Sequence, residues 1–248
     1  VSELPVDLLG ALDAAAATER LLVTSDFDGT LAPIVNNPAD ARPLPQAAEA
    51  LAALAELPST SVALISGRAL SVLRELSGAP STVHLVGSHG AEFDTGFAHH
   101  VDEVLLARIA AALKAIAADR PGVTVETKPA SVALHVRNAS AADGEAALRE
   151  ARTAAESWDA HATEGKAVLE LAVISTDKGE AVDIMRAQSD ATAVVFLGDD
   201  VTDEKAFRRM RDADVGVKVG PGPTLAAYRI DAPDDVAAVL EYLLQTRR

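Results

Sequence analysis

Apolar runs alternate with stretches of helical period, and that alternation gives the chain its outline. Short, almost wholly apolar, β-prone runs begin at Leu21 and fill residues 61–65, 83–86, 192–197 and 214–219. Such runs suit strands buried on both faces of a parallel sheet. Between them lie helix-prone segments. Residues 4–20 are Ala-rich, 46–57 follow Pro45 as a first-turn proline, and 69–76 are stopped by Gly78 and Pro80. Residues 178–188, a short stretch at 224–227 and an amphipathic 233–244 complete the helical set, while the proline-rich 32–44 reads as irregular. The order predicts an α/β protein: a Rossmann-like, mainly parallel sheet with helices on both faces.

The rhythm changes in the middle. A long helix over 101–118 ends at Pro121-Gly122, and strands over 123–128 and 131–137 flank Pro129-Ala130 as a hairpin. A second helix, 141–157, precedes strands around His161 and over 166–173. These connections are too short for crossovers to a parallel sheet. We therefore expect an α+β domain inserted over residues 96–174, interrupting a core built from 1–95 and 175–248. Alternation places Glu126 and Lys128 on one face of its sheet, and His135 opposite Val132, Leu134 and Val136. One face should be polar and available, with the substrate between insertion and core.

Composition narrows the function. Hydrophobic residues make up 49% of 248, but aromatics only 3%, so the core must be Ala, Val and Leu. A formal net charge of -15 argues against nucleic acid and against an anionic membrane surface. An anionic substrate then needs a local cation. Without cysteine there is no disulfide, thiolate nucleophile or zinc–thiolate site. No apolar run approaches a membrane span, and residues 1–19 lack a signal-peptide pattern. The expectation is a cytoplasmic protein with no membrane or nucleic-acid partner, as a monomer or weak homodimer.

Polar residues gather where the apolar runs end: Ser25-Asp26, Ser66-Gly67, Gly87-Ser88 and Gly198-Asp199. The carboxyl ends of strands in an open α/β sheet share one edge, and ligands bind there. Asp26 and Asp28, two apart at a strand end, project to one side. Together with Asp199, Asp200 and Asp203 they could supply hard oxygen ligands, which suit Mg²⁺ rather than zinc. Helix capping and dipole compensation offer another account of Asp199, Asp200 and Asp203, sufficient for one or two acids. Arg68 and Lys178 stand near helix starts, where a cation is misplaced unless an anion joins it. Arg68 taken alone also reads as a solvated surface residue.

Asp26-Phe27-Asp28-Gly29-Thr30, Ser66, Lys178 and the stretch from Gly198-Asp199-Asp200 to Asp203 resemble, in order, the four motifs of the haloacid dehalogenase superfamily. The insertion falls where that superfamily carries its larger cap. The resemblance implies Asp26 as nucleophile, Asp28 as general acid and then base, Thr30 and Ser66 orienting the phosphoryl group, and Lys178 neutralising it. It also implies Mg²⁺ held by Asp26, the carbonyl of Asp28 and Asp199, with Asp200 and Asp203 close behind.

Ser66-Gly67-Arg68, Gly87-Ser88-His89-Gly90-Ala91-Glu92, Glu126-Thr127-Lys128-Pro129, the run from Ala133 to Arg137, Glu164-Gly165-Lys166 and Val168-Leu169-Glu170 further resemble the trehalose-6-phosphate phosphatase family. That likeness implies hydrolysis of trehalose 6-phosphate, with Gly67 and Arg68 on the phosphate side. Glu126, Lys128, His135 and Glu164 would clasp the disaccharide. Val136 departs from the family, where an aromatic is frequent, and a packing difference is expected. Pattern alone also allows Glu126 and Lys128 as a solvent face, His135 as a half-buried hydrogen-bonder and Trp158 as packing. His89 reads as a hydrogen-bonder behind the site, and His99-His100 as a solvated linker. The rival functions are a phosphatase for another sugar phosphate, such as that of sucrose or glucosylglycerol, and a non-catalytic sensor or partner of a trehalose-phosphate synthase. The presence of Asp26, Asp28, Lys178 and Asp199 together opposes the latter.

Overall fold

A computed structural model describes residues 3–165 and 167–248; Lys166, part of the Glu164-Gly165-Lys166 stretch, lies outside them. The chain begins with α1 (Val6–Ala16), β1 (Leu21–Ser25), α2 (Pro45–Ala55), β2 (Thr60–Ile65), α3 (Leu70–Ser77) and β3 (Val83–Gly87). Two short strands, β4 (Glu92–Phe93) and β5 (Gly96–Phe97), come next. α4 (Glu103–Ala117), β6 (Thr124–Thr127), β7 (Ser131–His135), α5 (Ala141–Ala155), β8 (His161–Gly165) and β9 (Val168–Ala172) follow. The remainder is α6 (Lys178–Ser189), β10 (Ala193–Gly198), α7 (Glu204–Phe207), β11 (Val215–Val219), β12 (Tyr228–Ile230) and α8 (Pro233–Arg247). Two compact units result: the residues up to Gly96 with Thr176–Arg248, and Phe97–Ser175.

The first unit is an α/β sandwich around a sheet of order β12-β11-β10-β1-β2-β3-β4-β5, parallel from β12 to β3. Every residue of β1 is buried, Thr24 and Ser25 included. Leu21 and Val23 share a core with Leu8 and Leu12 of α1, Leu51 and Leu54 of α2, and Leu240 and Leu243 of α8. On β10, Phe196 meets Phe207 of α7 edge to face, ring centroids 5.5 Å apart. Cover on both faces is what makes these strands nearly continuous apolar runs. The chain fills one half of the sheet with β1, β2 and β3, and the other half with β10, β11 and β12. Strand order therefore reverses between β1 and β10, and in such sheets a crevice opens at the carboxyl ends of that pair.

Residues 224–227 are not helical, contrary to the periodicity. Thr224 Oγ1 accepts from the amide of Ala226, and the amide of Leu225 donates to Glu204 Oε2. Side-chain acceptors here compete with helical bonding. The segment leads instead into β12, a three-residue edge strand that the sequence pattern did not indicate.

The second unit is α+β, with an antiparallel sheet of order β6-β7-β9-β8. Ile109 and Leu113 of α4 and Ala147 and Ala151 of α5 pack with Val132, Leu134, Leu169 and Leu171. Trp158 and Val136 also pack against this core, in line with the packing expectation for both. The register sets Glu126, Ala133, Glu170 and Thr163 in one row across the four strands. Their side chains occupy the face opposite the apolar core.

Candidate active site

The loop after β1 is fixed by its own backbone. The amide of Asp26 donates to the Leu197 carbonyl at 2.8 Å, extending the β1–β10 pairing by one bond. Phe27 is fully buried below it, and Gly29 and Ala32 amides close the turn on Ala32 and Phe27 carbonyls. Gly29 has φ +86°, and a Cβ there would fall on the Asp199 carboxylate. Glycine is required on both counts. Thr30, with no exposed surface, donates through Oγ1 to Asp199 Oδ1 at 3.1 Å. Its hydroxyl thus orients one of the acids.

Lys178 opens α6, whose N-cap Asp177 accepts from the amide of Glu180. The buried Lys178 ammonium donates to Asp26 Oδ1 and Asp203 Oδ1, each at 2.7 Å. One carboxylate oxygen each from Asp26, Asp199 and Asp203 come within 4.8 Å of one another. Burial pushes the Asp26 carboxyl well above the usual range; Lys178 works against this, and Asp203 and Asp199 add to it. Asp199 is raised too, by burial and then by Asp203. Burial alone would discharge Lys178, but Asp26 and Asp203 outweigh it and raise its pKa, so the ammonium persists. Three carboxylates facing one ammonium are short of positive charge, and their hard oxygens fit a divalent cation.

The capping account fails for Asp203. Its side chain caps nothing in α7; Oδ1 takes Lys178 and Oδ2 the amide of Asp200. Asp200 is exposed and accepts from the Val201 amide, outside the acidic triad. The Asp28 side chain is likewise not in the triad. It forms a two-pronged ion pair with Arg68, whose guanidinium also lies 5.9 Å above the Phe27 ring. The expected five-acid set thus separates into three acids that converge and two side chains that do not.

Ser66 is buried and accepts through Oγ from the Arg68 amide at 3.1 Å. Gly67 packs against the His89 ring, with no space for a Cβ. Lys218 was not singled out by the sequence reading. It is buried at the end of β11, and its ammonium donates to the main-chain carbonyl of Asp199. A lysine within the apolar run Val215-Gly216-Val217-Lys218-Val219 is the signal that could have found it.

In the second unit, His135 Nε2 and Glu126 Oε2 are 2.9 Å apart. Lys128 donates to both oxygens of Glu170, and Ser131 Oγ to one of them at 2.6 Å. These groups share the polar sheet face, so Glu170 joins Glu126, Lys128 and His135. Glu164 does not. It pairs in register with Leu169, which pairs with Leu134, and so belongs to the face that carries the core. There Arg152 of α5 grips its carboxylate with Nε at 2.6 Å and Nη2 at 3.0 Å, holding Glu164 below the usual carboxylate range.

A family model described as trehalose-phosphatase matches residues 24–233. The trehalose-phosphate phosphatase of Mycobacterium leprae is 35% identical over 98% of this chain, and the chain spans 62% of that relative's length. The trehalose-6-phosphate phosphatase of Escherichia coli is 34% identical, covering 90% of this chain and 87% of its own. The C-terminal domain of the Candida albicans trehalose-6-phosphate phosphatase superposes with TM-score 0.78 at 24% identity, over 98% of this chain and 99% of that one.

Proposed function

This chain belongs to the trehalose-phosphatase family, and on that premise we propose that it hydrolyses trehalose 6-phosphate to trehalose and phosphate, with Mg²⁺, through an aspartyl-phosphate. The observation that carries the reading is the Asp26–Lys178–Asp203 cluster with Asp199, at the point where sheet order reverses. Asp26, Asp199 and Asp203 would hold the ion. Bound there, Mg²⁺ supplies electrostatic stabilisation of charge developing on the phosphoryl oxygens.

Asp26 attacks phosphorus, and the bond to the sugar oxygen breaks. A sugar alkoxide is a poor leaving group, so Asp28 delivers a proton to it. Asp28 then takes a proton from the water that attacks the aspartyl-phosphate, which releases inorganic phosphate and restores Asp26. The lysine ammonium, already fixed between two acids, offsets the repulsion between carboxylate and phosphate without reorganising. Ser66, Gly67 and Arg68 are read as the phosphate side of the pocket, and Thr30 as the residue that orients Asp199. For Asp28 to act as an acid, its guanidinium partner must be drawn to the phosphate.

Sugar recognition is assigned to Glu126, Lys128, His135 and Glu170, a set favoured by their common face. The reading includes a cytoplasmic protein, monomeric or weakly dimeric; among the described residues no helix is long and apolar enough to cross a membrane. The test is phosphate release across trehalose, sucrose, glucose, mannose and glucosylglycerol phosphates, with and without Mg²⁺. Strong preference for trehalose 6-phosphate is expected. Activity confined to another member would overturn the substrate assignment, and none at all would overturn the chemistry.

A further inference from the structure

The turn that follows β3 holds two consecutive non-glycine residues in the left-handed region, Ser88 at φ 49° and His89 at φ 55°, with Gly90 at φ 108° after them. Side chains with a Cβ adopt this conformation at a cost, and neighbours must enforce it. Both strained amides reach back across one short loop. Ser88 donates to the Arg68 carbonyl at 2.7 Å and His89 to the Ser66 carbonyl at 2.9 Å. Between these carbonyls sits Gly67, against the His89 ring.

Glu92 closes the other side. It is buried at 8% exposure, and Oε2 accepts from Ser88 Oγ at 2.6 Å and from the amide of Leu70 at 3.0 Å. Leu70 is the first residue of α3, whose N-cap Ala69 has no side-chain acceptor. A carboxylate from a different strand thus supplies the cap that the helix start lacks. The loop at 66–70 is held at both ends by one strained turn and one acid.

We propose that Ser88, His89 and Glu92 are positioning residues for Ser66 and Arg68, and that through them they set how tightly the phosphate of any substrate is held. The inference rests on the reading of Ser66 and Arg68 as the phosphate side. A hydrogen bond to a charged group is worth roughly ten- to a hundredfold in binding, so misplacing such a group weakens binding on that scale.

The experiment compares wild-type, Glu92→Ala and Glu92→Gln enzyme in Mg²⁺, with p-nitrophenyl phosphate and trehalose 6-phosphate as substrates and inorganic phosphate as competitor. Glu92→Ala should raise the phosphate Ki and both KM values about ten- to a hundredfold, the scale of a charge-assisted hydrogen bond lost to misplacement. Glu92→Gln keeps an oxygen that can accept both bonds, and should recover most of that loss. Repeated in a Ser66→Ala/Arg68→Ala background, Glu92→Ala should change Ki by less than about twofold, because nothing is left to position. An equal factor in both backgrounds overturns the proposal, as does a lower Tm with Ki and KM unchanged. Should Glu92→Ala fail to fold, Ser88→Ala removes one donor to Glu92 and carries the same cycle. Wild-type enzyme that turns over p-nitrophenyl phosphate but refuses trehalose 6-phosphate would sink the substrate reading and leave the brace to be judged on Ki.

Discussion

Arg68 and Asp28 face each other through two parallel contacts, Nε to Oδ2 and Nη2 to Oδ1, both 2.6 Å long. A planar fork matched to a carboxylate is equally matched to a phosphate. The residue proposed to greet the substrate therefore rests on the residue proposed to protonate it. Arg68→Lys keeps the charge but loses the fork. Its KM should rise about tenfold or more for sugar phosphate and p-nitrophenyl phosphate alike, the scale of one charge-assisted hydrogen bond. A selective effect on the sugar substrate would remove Arg68 from the phosphate side.

Asp26→Asn should leave turnover at least about a thousandfold down, as expected when a nucleophile is removed. The fold should remain, because Lys178 keeps Asp203 and the asparagine carries no buried charge. Circular dichroism and a steady-state assay on the same purified sample check both halves. More than a trace of activity in the folded variant would end the nucleophile assignment.

Divalent ion should stabilise the fold. Mg²⁺ at a hundredfold excess over its Kd is expected to raise Tm by roughly 5–10 °C. Asp199→Asn should abolish most of that shift, whereas Asp200→Asn, outside the triad, should retain it. Equal responses in the two variants would mean the ion sits elsewhere.

Glu126→Ala should damage kcat/KM for trehalose 6-phosphate at least about tenfold more than for p-nitrophenyl phosphate, which has no disaccharide to lose. Equal losses would make Glu126 a support for its sheet rather than a reader of sugar.

The Glu164–Arg152 pair gives a pH prediction. Arg152 lowers the folded-state pKa of Glu164, so the pair stabilises the fold above the ordinary carboxylate pKa and ceases to as pH falls through the lowered one. Carboxyl NMR should show Glu164 titrating higher in Arg152→Ala than in the wild type. An unmoved titration would show that the pair does not persist in solution.

The sequence carried much of this. Apolar runs ending in polar residues were enough to mark the strands of the parallel sheet and to bring Asp26 and Asp199 to one edge, because parallel strands share one ligand-binding edge; the order of strands across the sheet was not legible. Partner choice was not legible. Thr30 and Arg68 read as residues on the phosphate side, and nothing local shows that their side chains also bond Asp199 and Asp28, contacts set by residues 169 and 40 positions apart. Glu164 shows a different limit. In β8 polar residues alternate onto both faces, His161 and Thr163 on one and Glu164 on the other, so no hydrophobic parity marks which side turns inward. Its direction follows from pairing with β9, where Leu169 and Leu171 are buried, and a slip of one residue would reverse it. Lys218 stayed hidden because an isolated charge within an apolar strand has no local motif, and Glu92, although part of the stretch from Gly87, has contacts to Ser88 and Leu70 that spacing alone does not show.

The pairing of β1 with β10 joins Leu21 to Ala193 and Ser25 to Leu197. On a ribosome adding about 5–20 residues per second, the partner of β1 is made roughly 10–35 s after β1 itself. Through that interval one edge of a strand destined to be wholly buried has no neighbour, and an open edge of this kind invites pairing with other chains. The second unit, with its own core between β6–β9 and two helices, is synthesised entirely within the gap. Its early folding would shorten the tether between the halves of the central sheet, so lesions in that small core should surface as aggregation of the large one.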